Sequence, residues 1–372
     1  MSTSGLSRPA SAHLDPERIR IARMRRGMTK VDLGNKLSVT PRTITKYETG
    51  GAPIAMAELL SGALGFPTAY FERPSPPSLV ASEVRFRAAR RATARERDAA
   101  VAAGVSGIEV DRWISARYIL PEVDIQTFVG EEPRLAARLL RGIWGLGVKP
   151  LPNLVQLCES RGVRVYSLPP FADAVDAYSI WSGEAPFVFL ARDKTPERIR
   201  FDLAHEIGHL VLHSDEGGET TAQEREADTF ASEFLMPSAS IIEYLRHNPN
   251  IDELLAARDS FKVSAMAMTF AAHKAGRMTD WAYRQSCIEL SQRGFRRGEP
   301  GGMSNYEMSR VFPQVLKVGR SGGARAIASD LQLPLEDVHA LTFGAELRAA
   351  QSTEVSSDTN RRPPTSRPLR VV

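Results

Sequence analysis

The sequence predicts an α+β fold that is mostly α: an N-terminal bundle of helix, turn and helix, a small sheet beside a buried helix, and a helical C-terminal region. Three observations predict it. Residues 15–50 carry helix-start and helix-stop signals spaced for three short helices. The runs "VRVYSL" and "PFVFLA" are apolar, short and rich in β-branched and aromatic residues, as strands are. Two longer stretches, 201–213 and 220–237, repeat apolar residues at helical spacing, and 261–345 reads as further helices. The 372 residues leave room for two or three domains and a sizeable core. We divide them into 14–72, a helix-turn-helix unit; 73–145, an Arg/Ala-rich helical linker region; 146–300, the sheet with its buried helix; 301–348, a small helical end domain; and 349–372, a polar, proline-rich tail expected to be disordered.

In "DPERIRIARMRRGMTKVDLGNKLSVTPRTITKYETG", residues 15–50, Asp15 and Pro16 open the first helix. Thr29 caps a second helix through Leu33 and Leu37. After a turn at Ser38 and Val39, Thr40 caps a third with Pro41 at its first position, ending before Gly50 and Gly51. Such a unit lays its second motif helix, here 41–48, in the major groove of duplex DNA. The segment resembles the lambda-repressor-like helix-turn-helix class, where the Tyr-Glu-x-Gly ending is usual. Arg42, Thr43 and Lys46, with Thr40 at the cap, then face base edges or phosphates, and Lys30 stands at a phosphate-contact position where the class often has glutamine. Ile44 and Tyr47 pack inward. The competing reading is a helical bundle for protein contacts.

A proline cluster at 73–77 marks a boundary, and the alanine-rich run after it, to residue 104, predicts a long helix. Its arginines, Arg85, Arg87, Arg90, Arg91, Arg95 and Arg97, form a solvated face with acidic partners in preference to a phosphate site. "LPNLVQLCESRG" then predicts a helix and "VRVYSL" a strand. "PFVFLA", residues 186–191, is a second strand, just before the buried helix, and is the candidate edge for pairing with an extended peptide.

The buried helix reads "FDLAHEIGHLVLH", Phe201 to His213. His205 and His209 lie four apart, one turn along one face, so both imidazoles can aim at one ion, and Glu206 can hold a water beside it. Leu203, Ile207, Leu210, Val211 and Leu212 surround them, and buried imidazoles and a carboxylate without partners are costly in such a setting. A metal removes that cost. A third ligand is sought in "TTAQEREADTFASEFLMP", residues 220–237. Glu224 and Asp228 share a face there, which suggests Glu224 on the ion and Asp228 behind it, bonded to the far nitrogen of a ligand histidine. Glu226 points about 200 degrees away from Glu224, so one of the two faces the ion. His213 drifts about 80 degrees from His205 and is a supporting or core group. An ordinary acidic helix start would also place Glu224, Glu226 and Asp228 in this run.

These two segments with their flanks, "DAYSIWSGEAPFVFLARDKTPERIRFDLAHEIGHLVLH" and "EREADTFASEFLMP", resemble the ImmA/IrrE family of metallopeptidases, in its subgroup with an N-terminal helix-turn-helix. The resemblance runs from about residue 14 to about residue 345. It implies a zincin-like fold and zinc dependence, with manganese as the substitute metal. It further implies cleavage of a helix-turn-helix repressor that frees stress-response or mobile-element genes for transcription. Carried over residue by residue, the ligands are His205, His209 and Glu224, and the general base is Glu206. The alternative is a DNA-binding regulator, antitoxin-like, whose peptidase-like domain senses metal or ligand without cutting. The group that stabilises the oxyanion is left between Tyr178 and His273.

Composition agrees with a cytoplasmic enzyme. The partners, duplex DNA and a repressor substrate, are what the helix-turn-helix and the family resemblance imply, and a homodimer is open to such a chain. No apolar run approaches the roughly 18 residues that span a bilayer. Two cysteines, Cys158 and Cys287, exclude a disulfide scaffold and a cysteine-rich zinc module. Net charge is +4 overall, yet residues 1–100 hold 17 Arg and Lys against 9 Asp and Glu, a surplus of 8. The basic end is the helix-turn-helix end.

Overall fold

The computed structural model describes residues 13–79, 85–86, 92–169, 175–213, 220–317, 322–345 and 370–371. Helices α1 (Pro16–Arg25), α2 (Lys30–Leu37), α3 (Pro41–Gly50) and α4 (Ala57–Leu64) form the N-terminal bundle. The capping residues act as their types predict. Asp15 accepts the Arg18 N–H, Thr29 and Asp32 cap each other, and Thr40 accepts the Thr43 N–H. Ile19, Ala22, Leu33, Ile44 and Leu60 close a core with no measurable exposure.

The two-residue strand β1 (Arg85–Phe86) precedes α5 (Ala94–Ser115). Of the arginines expected on a solvated face, Arg95 is exposed and Arg97 half-buried, whereas further along α5, from Ala99 to Ile114, nearly every residue is buried. The reason lies in its small residues. An added Cβ at Gly104 would stand 2.1 Å from the Tyr178 hydroxyl, and one at Gly107 would stand 2.6 Å from the Phe189 ring. An alanine- and glycine-rich helix can press flat onto a sheet, and this one does. Arg95 and Arg97 lie in the first turn, ahead of that seam; the side chains of Arg85, Arg87, Arg90 and Arg91 lie outside the described residues.

Next come β2 (Tyr118–Ile119), α6 (Pro133–Ile143), α7 (Leu154–Ser160), β3 (Arg164–Ser167), β4 (Ala177–Ser182) and β5 (Ala185–Leu190). The sheet order is β1-β4-β5-β3. β4 and β5 form an antiparallel hairpin turning at Gly183, whose φ of +62° suits glycine; β3 runs parallel to β5. Two sequence expectations change here. β4 was not foreseen as a strand, and β5, expected to offer a free edge, is an inner strand paired on both sides.

Helix α8 (Pro196–Leu212) packs on β4 and β5 from the side opposite α5, and α9 (Thr221–Leu235) lies against α8 and α6. Then follow α10 (Ser238–Tyr244), α11 (Ile251–Phe261), α12 (Ala265–Lys274) and α13 (Asp280–Gln292), with the expected turn at Gly276. α14 (Val311–Val315), α15 (Gly323–Leu331) and α16 (Leu335–Leu341) complete the helices; α15 and α16 rest on α5, and α16 also on β3. Of the tail at 349–372, Arg370–Val371 are described; they form β6, paired antiparallel with β2.

Charged contacts join the N-terminal bundle to the rest. The buried Arg18 guanidinium makes two bonds to Glu109 of α5, at 2.8 and 2.7 Å. Asp337 of α16 takes Arg26 at 3.0 Å and the fully buried Arg25 at 3.6 Å. Arg73, just past the bundle, donates to the Leu331 carbonyl; α5 is in turn tied to α15, Trp113 donating to Asp330 at 2.8 Å.

Candidate metal centre and DNA-facing helix

Thr195 caps α8, Pro196 opens it, and its helical period sets His205 over His209. His209 Nε2 stands 3.0 Å from His205 Nε2 and 2.9 Å from Glu224 Oε1, and His205 Nε2 stands 3.5 Å from Glu224 Oε1. Tetrahedral ligands about 2.0–2.2 Å from zinc are roughly 3.3–3.5 Å from one another, so this trio matches the spacing of ligands around one ion. Two imidazole lone pairs and a carboxylate converging in a buried place repel one another unless a cation or proton lies between them. The three residues are thus a possible His/Glu metal site among the described residues.

The remaining nitrogens are held from behind. His205 Nδ1 is 2.9 Å from Asp228 Oδ1 on α9. His209 Nδ1 is 3.1 Å from His213 Nδ1, and His213 Nε2 is 2.9 Å from Glu226 Oε2. One proton arrangement satisfies both lines: each carboxylate accepts an N–H, His213 Nδ1 accepts from His209 Nδ1, and the ligand Nε2 atoms are then the unprotonated ones. Burial pushes the His209 imidazole down to about 4, against the pull of the Glu224 carboxylate, so it is neutral near pH 7. Glu226 therefore lies on a different line from Glu224 and acts on His213. Sequence reasoning set Glu226 aside as the alternative ligand; the four-residue step from His209 to His213 was the signal that could have found its role.

Glu206 is fully buried and stands outside the trio. The Ser179 hydroxyl of β4 donates to its Oε2 at 2.7 Å. Ser179 was missed because β4 was missed. Neither oxyanion candidate joins this group. Tyr178 alternates to the other face of the sheet, where its hydroxyl donates to the Ala100 carbonyl at 2.8 Å, and His273 is paired with Asp280 at 2.8 Å and stacked on Tyr283. A groove of about 360 Å³ opens beside Asp228, lined by Arg134, Arg225, Thr229, Ser232, Phe270 and Lys274.

On α3, Arg42 and Lys46 are exposed, Thr43 is half-buried, and Ile44 and Glu48 face the core. Thr40 is occupied as the cap, its hydroxyl 2.9 Å from that of Thr43. Lys30 stands 3.3 Å from the Thr45 hydroxyl and 3.5 Å from Glu48, at the rim of the same surface. Glu48, the glutamate of Tyr-Glu-x-Gly, pairs with Arg23 of α1 at 2.5 Å with both side chains buried. It fixes the angle at which α3 is presented.

Residues 158–273 match the family model described as the IrrE N-terminal-like domain of the M78 peptidases, and residues 19–71 match that of a helix-turn-helix. No curated protein matches the chain significantly. Among the described residues, no helix is long and apolar enough to cross a membrane.

Proposed function

The chain joins an ImmA/IrrE-type peptidase domain to an N-terminal helix-turn-helix of the XRE type, and from this premise we propose that it is a zinc-dependent endopeptidase and DNA-binding regulator that cuts a helix-turn-helix repressor. The observation that carries the reading is the convergence of His205 Nε2, His209 Nε2 and Glu224 Oε1 within 3.5 Å, with a carboxylate, Glu206, beside them but not among them. A purely structural zinc site takes a fourth protein ligand and needs no base.

His205, His209 and Glu224 would hold the ion, with manganese as the substitute, and Asp228 and the Glu226–His213 line would fix the two rings. Zinc bound there supplies Lewis acidity, acidifying water and polarising a peptide carbonyl. Glu206 would accept a proton from the attacking water as the carbon–oxygen bond forms, and return it to the amine nitrogen as the carbon–nitrogen bond then breaks. The Ser179 hydroxyl, donating to Glu206 Oε2, would orient that carboxylate. The groove beside Asp228 gives a polypeptide room to run on past the site. A folded repressor offers such a cleft a loop or frayed segment, and the linker after its DNA-binding unit is the expected place of cutting. Severing dimerisation from DNA reading would release the operator.

The test is incubation of the purified protein, with zinc or manganese, with the repressor encoded beside it. Mass spectrometry should find one cut outside the repressor's helix-turn-helix, absent with Glu206→Gln. No cut under any metal condition, with DNA binding intact, would leave a regulator without proteolysis. For the DNA half, Arg42→Ala should cost about 1–3 kcal/mol on a specific site, whereas Lys30→Ala should weaken all sequences alike. Gel shifts at two salt concentrations read both; equal binding by wild type and an Arg42→Ala/Lys46→Ala variant would remove the assignment.

A further inference from the structure

The outer edge of β4 runs beside Glu206, because Ser179 of that strand holds the Glu206 carboxylate at 2.7 Å. β5 covers the inner edge. What lies on the outer edge is the molecule itself: β1 pairs antiparallel with β4, Arg85 opposite Ser179 and Phe86 opposite Tyr178. In this arrangement Glu206 and His205 are at most 1% exposed. We propose that Arg85–Phe86, in the connection between the helix-turn-helix and α5, is an intramolecular strand seated on the edge where a substrate backbone would pair, so that a substrate must displace it to reach Glu206. What displaces it rests on the peptidase reading; the pairing itself does not.

The dimensions suit a displaceable occupant. Backbone pairing tolerates almost any sequence, so a chain's own segment and a foreign one compete on equal terms. β4 offers six residues, Ala177–Ser182, and β1 uses two of them. A substrate strand spanning the whole edge makes more ladder bonds than β1 does. Tethering favours the resident. Leu79, buried and packed near Gly104, lies six residues before Arg85, and Ala92, also buried, lies six residues after Phe86. A short tether anchored at both ends holds its segment at an effective concentration on the order of millimolar. A short ladder with a high local concentration excludes casual peptides and yields to one that pairs along the full strand.

Arg85→Pro/Phe86→Pro removes both N–H donors from β1 and tests the idea on full-length, metal-free protein. Hydrogen–deuterium exchange over residues 177–182 should speed up by roughly tenfold or more in the variant, since an uncovered edge opens more readily. A fluorescein-labelled synthetic peptide of residues 80–91, "VASEVRFRAARR", followed by anisotropy, should bind the variant at least about tenfold more tightly than wild type once the tethered competitor is gone. The same peptide with prolines at the two paired positions should not bind. Unchanged exchange in β4, or equal peptide binding by variant and wild type, overturns the proposal. If exchange in α12 also rises, the variant has unfolded, and Arg85→Gly/Phe86→Gly, which weakens a strand while keeping its donors, takes its place under the same two outcomes. Neither readout needs metal or cleavage, so a protein that never cuts a repressor can still pass, and an active peptidase can still fail.

Discussion

At the scale of single residues, the cluster separates groups that would bind an ion from groups that aim them. Glu206→Gln should leave metal content unchanged and abolish cutting, whereas loss of His205, His209 or Glu224 should empty the site; elemental analysis of the four purified variants checks this. Asp228→Ala removes the acceptor behind His205 and should weaken zinc binding by roughly 10- to 100-fold in a competition titration. Glu226→Gln, acting at one remove through His213, should cost less. His209 also makes the metal-free protein sensitive to acid. Its folded imidazole titrates at about 4 against an ordinary 6.5, so between these values the unfolded chain binds the extra proton and stability falls as pH falls. The loss should be on the order of 3 kcal/mol and level off below pH 4, at about 1.4 kcal/mol for each pH step; urea titrations across pH 4–7 of wild type and His209→Gln measure it. The trio and Asp228 were legible in the sequence because a helix places residues four apart on one face. The Glu226–His213 contact was not, since it depends on how α9 crosses α8.

At the scale of elements, that crossing is set by a glycine inside the histidine motif. A Cβ at Gly208 would sit 3.1 Å from the Phe230 ring and 3.2 Å from the Ala227 backbone, so α8 and α9 meet almost surface to surface. Gly208→Val should push α9 away, draw Glu224 off the histidines, and lower zinc affinity by at least about tenfold with a stability loss of about 1–3 kcal/mol; calorimetric zinc titration and thermal melts check both, and unaltered affinity would mean that α9 is positioned from elsewhere. Helices were the legible elements, because caps such as Thr29 and Thr40 are local signals. β4 escaped because "AYSIWS" is buried along its first four residues and shows no alternation to reveal a strand. α5 was legible as a helix, but its burial beyond Ala99 was not, since the glycines and alanines that press it onto the sheet carry no polarity signal.

At the scale of the molecule, the helix-turn-helix is fastened to α5 and α16 by buried charge. Asp337→Ala would leave Arg25, whose guanidinium burial already presses downward, without its carboxylate. Removing one partner of a buried pair costs about 3–5 kcal/mol, and the loss should appear as an earlier, separate melting step for the N-terminal bundle in calorimetry. One unsplit transition at the wild-type temperature would mean that the apolar packing of α1 on α5 suffices. The fastening also has a consequence along DNA. A helix lodged in a major groove fixes the azimuth of everything rigidly attached to it, and duplex DNA turns once in about 10–10.5 base pairs. Under the proposed function, the groove beside Asp228 would therefore face one side of the duplex, and a protein bound at a neighbouring site would come into or out of its line as the spacing changes by half a turn.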